Sequence, residues 1–247
     1  MSNPFGDSLS NDSGKQVAGD KDTLGGFRIH DSGVYDFTIS AAYFGTSAGG
    51  AKSITFVGKL DNGSDYNWTE WVTAGTAKGG KSFTVNDKGE ASYLPGYNRA
   101  NAIAMLLLEK GIDGLVWETK VIKKYNKDAK AEVPTEVLMA TELLGKTISL
   151  GIQKQIVNKQ AQNQTTKAWE DTNEKAERNE VDKIFQAGTR RTLQEALAKQ
   201  ETGEFVTKWI EANKTPRDRF KAVANAPASG APGQAGAGDK PATSLFS

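Results

Sequence analysis

Apolar and polar positions alternate with a period of two through the middle of the chain. Over 33–44, Tyr35, Phe37, Ile39, Ala41 and Tyr43 share one face, with Asp36, Thr38 and Ser40 opposite. This pattern predicts a half-buried strand. A second follows over 52–60, with Ile54, Phe56 and Leu60 on one side and Ser53, Thr55 and Lys59 on the other. Asp61-Asn62-Gly63 then offers the positive φ of a hairpin turn, and 66–72 returns as a third strand carrying Trp68 and Trp71. A short strand is expected over 81–85, closed by the turn Asn86-Asp87-Lys88-Gly89.

The period changes at 98–110, where Ala, Leu and Met predict a helix stopped by Gly111. Strand signals resume over 115–125, then 133–139, where Pro134 suits an edge or a strand start. The clearest alternation is 146–157: Ile148, Leu150, Ile152 and Ile156 face one way, Thr147, Ser149, Gln153 and Gln155 the other. From about 166 to 222 the chain reads as helical. The charged stretch 171–186 has only Val181, Ile184 and Phe185 as an apolar patch, and Thr192-Leu193-Gln194-Glu195 fits a capping box that opens a helix. That helix is expected to run or bend through Phe205 and Trp209 to Ala212.

Five to seven strands with one helix between two groups of them predict a mainly β chain. The expected architecture is an OB-like five-stranded barrel with an inserted helix, preferred over an immunoglobulin-like sandwich. Four zones follow: a loose polar segment 1–32, the barrel 33–160, a helical extension 161–222 packing on or near it, and a tail 223–247. Pro227, Gly230, Pro232, Gly233, Gly236 and Gly238 predict disorder in the tail, which ends in the apolar tip Leu245-Phe246 before Ser247.

Composition narrows the chemistry. The absence of Cys excludes disulfides, thiol nucleophiles and thiolate metal sites, and fits a reducing cytoplasm. A single histidine, His30, rules out a His-based zinc cluster and is expected at the surface. Lys and Arg number 31 against 30 Asp and Glu, so charge distribution rather than net charge must identify any polyanion site. No apolar run approaches the ~20 residues of a membrane span, and 1–22 has no apolar core of a signal peptide.

Binding single strands without sequence preference needs cations for phosphates and aromatic faces for bases. Both are interleaved on the β segments: Tyr43 and Phe44, Lys52 and Lys59, Tyr66, Trp68 and Trp71, Lys78 and Lys81, Tyr93, Tyr97 and Arg99, then Lys120, Lys123, Lys124 and Tyr125, with Lys154 on the last strand. The same residues also fit core aromatics and edge-protecting lysines; Phe37, Phe56 and Trp117 lie in apolar registers and lean to the core. Gly75-Thr76-Ala77-Lys78-Gly79-Gly80-Lys81-Ser82 satisfies the form of a phosphate loop. Its context does not: a strand signature, Ser82-Phe83-Thr84-Val85, follows where a helix should open. Glu170/Asp171 and Glu174/Glu177 are read as a solvated helix face, so no enzyme, cofactor or metal is expected.

At Tyr93-Leu94-Pro95-Gly96-Tyr97-Asn98 the chain resembles the single-stranded-DNA-binding proteins of schitovirus-type, podovirus-like bacteriophages. Gly33-Val34-Tyr35, Gly49-Gly50-Ala51-Lys52-Ser53, Lys78-Gly79-Gly80-Lys81, Ala131-Glu132-Val133-Pro134-Thr135, Leu144-Gly145-Lys146 and Gly151-Ile152-Gln153-Lys154-Gln155 extend the resemblance, in order, over about 30–215. It implies a non-catalytic protein that coats single strands in phage DNA replication and recombination, in the cytoplasm of an infected bacterial host. It also implies that the C-terminal end contacts phage or host replication or transcription proteins. The tail departs from the acidic, Phe-terminated tip usual in bacterial counterparts, so its partner groove need not be theirs. The alternative is a phage structural or assembly β-sandwich with a docking tail.

Overall fold

The computed structural model describes residues 29–126, 129–163 and 166–224. The expected tail tip, Leu245 and Phe246, lies outside the described residues, as does the segment 1–28.

Strands β1 (Gly33–Thr46), β2 (Lys52–Leu60) and β3 (Asp65–Trp71) form an antiparallel meander. Phe37, Ile39, Ile54 and Phe56 point into the core, as the alternation requires. The phase then changes. A bulge between Ile39 and Ala41 inserts one residue, so Ala42 and Phe44 pair with core-facing Phe56 and Ile54, and Tyr43 pairs with Thr55 on the outer face. A one-residue slip exchanges the faces of everything beyond it. Gly58 makes room beside the bulge: a Cβ there would fall 2.0 Å from the Thr38 carbonyl oxygen.

A small hairpin follows, β4 (Phe83–Val85) with β5 (Ala91–Tyr93), and leads into helix α1 (Pro95–Leu108). Pro95 suits the first turn, which spends no backbone N–H. The helix ends at Glu109, itself left-handed at φ 59°, rather than at the predicted Gly111. Its buried Ala100, Ile103 and Ala104 join the core of the meander.

Two long antiparallel hairpins complete the sheet. β6 (Trp117–Asn126) pairs with β7 (Ala131–Ala140), and β8 (Thr147–Gln162) with β9 (Trp169–Gln186). Both attach to β1: β8 along Gly33–Thr38, β7 at Tyr43. The architecture is thus mainly β, one large antiparallel sheet with a helix between two strand groups. The expected OB-like five-stranded barrel is not confirmed: no closed barrel is seen among the described residues, and β3 and β9 each pair on one side only.

The helical reading of 166–222 is corrected over 169–186, which is strand β9. Its charges fall at cross-strand positions: Lys159 pairs with Glu174 at 2.8 Å, and Gln160 donates to Asp171 at 3.0 Å. Glu170/Asp171 and Glu174/Glu177 are therefore ladder residues, not a helix face. The sixteen-residue β8 has backbone groups to satisfy, and that ladder overrides the helix propensity of Glu, Lys and Arg. Helices do follow. Thr192 and Glu195 form the predicted capping box of α2 (Leu193–Leu197), and α3 (Phe205–Ala212) comes next.

Trp209 and Val206 of α3 pack on Phe185 and Val34, across the sheet from α1. Asn213, just past α3, accepts from Gln153; Gln155 donates to Gln153 and Glu180. The polar face of β8 is consequently buried, and its amides are hydrogen-bonded there. A two-residue strand β10 (Arg217–Asp218) pairs in parallel with Gln155 and Ile156. His30, expected at the surface, is also buried; the rings of Tyr35 and Tyr66 lie 5.7 and 5.8 Å from its own.

Candidate nucleic-acid interface

The turn at Asn86 to Gly89 sets the register of the small hairpin. Asn86 Oδ1 accepts from the backbone N–H groups of Lys88 and Glu90, at 3.0 and 2.9 Å. Phe83 therefore lies opposite Tyr93, ring to ring at 6.5 Å and nearly perpendicular. The chain turns at Leu94 into α1, and the first turn of that helix brings Tyr97 back onto Tyr93. Their rings stack at 4.5 Å with a 16° interplanar angle. At the other end, Lys81 Nζ lies 5.4 Å from the Phe83 ring centre. The result is a continuous row, Lys81, Phe83, Tyr93 and Tyr97, with Tyr93 53 % exposed. Burial and then Tyr93 itself hold the Tyr97 phenol above its ordinary range.

Other predicted residues gather at this end of the meander. Ser53 of β2 pairs with Trp71, and the Val72 N–H donates to the Lys52 carbonyl at 2.9 Å. The 72–82 loop is tied down by Ala74 N–H to Lys81 O and Thr76 N–H to Gly49 O, both 2.9 Å. Gly96 presses on β3: a Cβ there would meet the Trp71 carbonyl oxygen at 2.3 Å. Lys52, Trp71, Lys78 and Lys81 thus sit on one framework with the aromatic row, and all four are exposed. Thr76–Lys78 forms a single 3₁₀ turn, and Lys81 leads into β4. The phosphate-loop string has no strand–loop–helix setting.

A second patch lies on β6. Lys124 Nζ stands 4.9 Å over the Tyr43 ring, which the β1 bulge turned outward. Phe44 instead faces inward and meets Trp117 edge-on at 6.4 Å. Lys123 and Tyr125 are exposed on the opposite face from Lys124, and Lys120 pairs with Glu118 at 2.7 Å.

The remaining predicted residues are committed to partners within the chain, most of them buried or half-buried. Tyr66 is buried, and Trp68 stacks on Phe56 at 4.8 Å while donating its indole N–H to Glu70 at 3.0 Å. Arg99 donates to both oxygens of Glu70, at 2.7 and 2.9 Å. Glu70 is only 2 % exposed; burial pushes its carboxyl up, against the opposing pull of Arg99 and the indole. Burial also opposes the charge on Arg99, but the Glu70 carboxylate more than offsets this and holds the guanidinium charged. Lys154 pairs with Glu177 at 3.1 Å and Asp31 at 3.6 Å, and Lys59 with Asp65 at 2.6 Å.

Phe83 is the member of this row missing from the sequence-based set. The Asn86-Asp87-Lys88-Gly89 turn was the available signal, because counting outward from it puts Phe83 opposite Tyr93. Among the described residues no cluster of His, Asp or Glu is placed to hold a metal ion, and no helix is long and apolar enough to cross a membrane. No protein-family model, curated protein or solved structure matches the chain.

Proposed function

We propose that this chain binds single-stranded DNA without strong sequence preference, as a non-catalytic protein of phage DNA replication and recombination. The row Lys81–Phe83–Tyr93–Tyr97, with Lys81 and Tyr93 exposed and the other two half-buried, carries the reading. The aromatic surface left open around the Tyr93–Tyr97 stack and the Phe83 ring suits stacking of bases, and the lysines at 52, 78 and 81 flank it with charge for the phosphates. In this reading the meander, helix and hairpins correspond to an opened OB-like arrangement, a class whose strand faces and loops bind oligonucleotides. In this reading Leu245 and Phe246 serve as a docking peptide for replication or transcription proteins of the phage or its host.

The test is a tryptophan-fluorescence titration of the full chain with oligo-dT and with duplex DNA at two salt concentrations. Tight, salt-sensitive binding to oligo-dT with weaker duplex binding is expected. Absence of oligo-dT binding at low salt sinks the proposal and leaves the assembly reading. Truncation before Thr243 is expected to spare DNA affinity and to remove the partner interaction.

A further inference from the structure

Beside the aromatic row lies a cleft of ~910 Å³, walled by α1, β9, α2 and α3, with Tyr93 among its lining residues. This is the size range of small-molecule sites. Tyr93 therefore belongs both to the row and to the cleft. On the α3 side the cleft has a second exposed aromatic, Phe205, with Lys183 Nζ 5.8 Å from its ring centre.

Most of the cleft's other charges are already committed. Arg99 is held by Glu70, and Asp182 accepts the Trp209 indole N–H at 2.6 Å. The Glu195 carboxylate accepts three backbone N–H groups, from Thr192, Glu204 and Phe205. What the walls still present is Lys183 and Lys208, the exposed carboxylate of Glu204, and the side-chain amides of Asn98 and Gln194. Two cations, an aromatic face and neutral amides suit a ligand that combines an anionic group, a flat ring and hydrogen-bonding edges, as a nucleotide does.

We infer that the cleft takes one unstacked nucleotide of the strand laid on the row, and that this is where the protein distinguishes bases. The inference rests on the proposed single-strand binding. An aromatic row tolerates any base, because every base has a π-face. Donors and acceptors in a concave site read the edge of a base splayed out of the stack. Asn98 and Gln194 supply them, while Lys183 and Lys208 take the phosphate.

The experiment uses the full chain against oligo-dT, oligo-dC and oligo-dA of equal length. Intact protein is expected to rank the three with at least about a threefold spread. The double variant Asn98→Ala/Gln194→Ala should collapse that spread while keeping binding. Lys183→Ala/Lys208→Ala should weaken all three about tenfold and lower the salt slope by about 0.7, the share of the one phosphate they hold. Thermal melts matching the intact protein confirm that each variant is folded. A 5-iododeoxyuridine oligonucleotide should crosslink to Phe205 as well as to Tyr93. Unchanged affinity, slope and ranking in both variants, or crosslinks confined to Tyr93 and Tyr97, would overturn the inference and leave single-strand binding standing. Failure of the intact protein to bind any of the three removes the proposed function itself.

Discussion

Tyr93 and Tyr97 lie face to face at 4.5 Å although one ends a strand and the other belongs to a helix. The pairing depends on Leu94, whose extended backbone turns the chain between them, and on Pro95 opening the helix. Tyr97→Ala is expected to weaken oligo-dT binding by about one to two decades, since each stacked base contributes roughly 1–3 kcal/mol. Fluorescence titration reads the change. A Phe83→Ala variant with unaltered affinity would confine the interface to the two tyrosines.

Arg99→Ala is expected to act on stability rather than on phosphate binding. It strands Glu70, 2 % exposed, without its cation. Breaking a buried ion pair from one side costs about 3–5 kcal/mol. Urea denaturation monitored by circular dichroism should report a loss of unfolding free energy of that order. A loss below about 1 kcal/mol would mean that water reaches Glu70 freely.

Glu195 links two helices: it closes the capping box of α2 and accepts the Glu204 and Phe205 N–H groups at 2.8 Å ahead of and within α3. Burial alone would raise its carboxyl, but these backbone N–H bonds together outweigh that and hold it below the ordinary range. A depressed folded-state value stabilises the fold above the unfolded carboxyl pKa of about 4.3. That contribution is lost as pH falls through the folded value. Glu195→Gln should cost about 1–2 kcal/mol at neutral pH and flatten the acid limb of the stability curve. A parallel acid limb in variant and intact protein would refute this.

Gly58→Ala should destabilise by about 1–3 kcal/mol, because the added methyl overlaps the Thr38 carbonyl oxygen and the Phe37 ring. If the strand yields by removing the β1 bulge, Tyr43 turns inward and its contact with Lys124 is lost. Melting temperature reads the first effect. Solvent accessibility of Tyr43, by nitration, reads the second.

Much of the architecture was legible because local rules and global packing agreed. The alternation in β1, β2 and β8, the turns at Asn62-Gly63 and Asn86 to Gly89, and the Thr192 capping box each depend on a few adjacent residues. Strand β9 was not legible. Glu-, Lys- and Arg-rich stretches favour a helix on their own, and only the unpaired edge of β8 makes a strand the better solution.

By itself, then, the sequence determined that the chain is mainly β, that a helix follows the small hairpin, and that aromatics and lysines are interleaved along the strands. Tertiary structure decided which of them remain accessible. Trp68 and Tyr66 went to the core because β3 turns that face toward Phe56, and Arg99 went to Glu70 because α1 crosses β3 there. One inserted residue in β1 turned Tyr43 outward, and one helix start laid Tyr97 on Tyr93. The period of a pattern is a property of neighbours along the chain. Which face is covered depends on what arrives from elsewhere, and packing alone decides that.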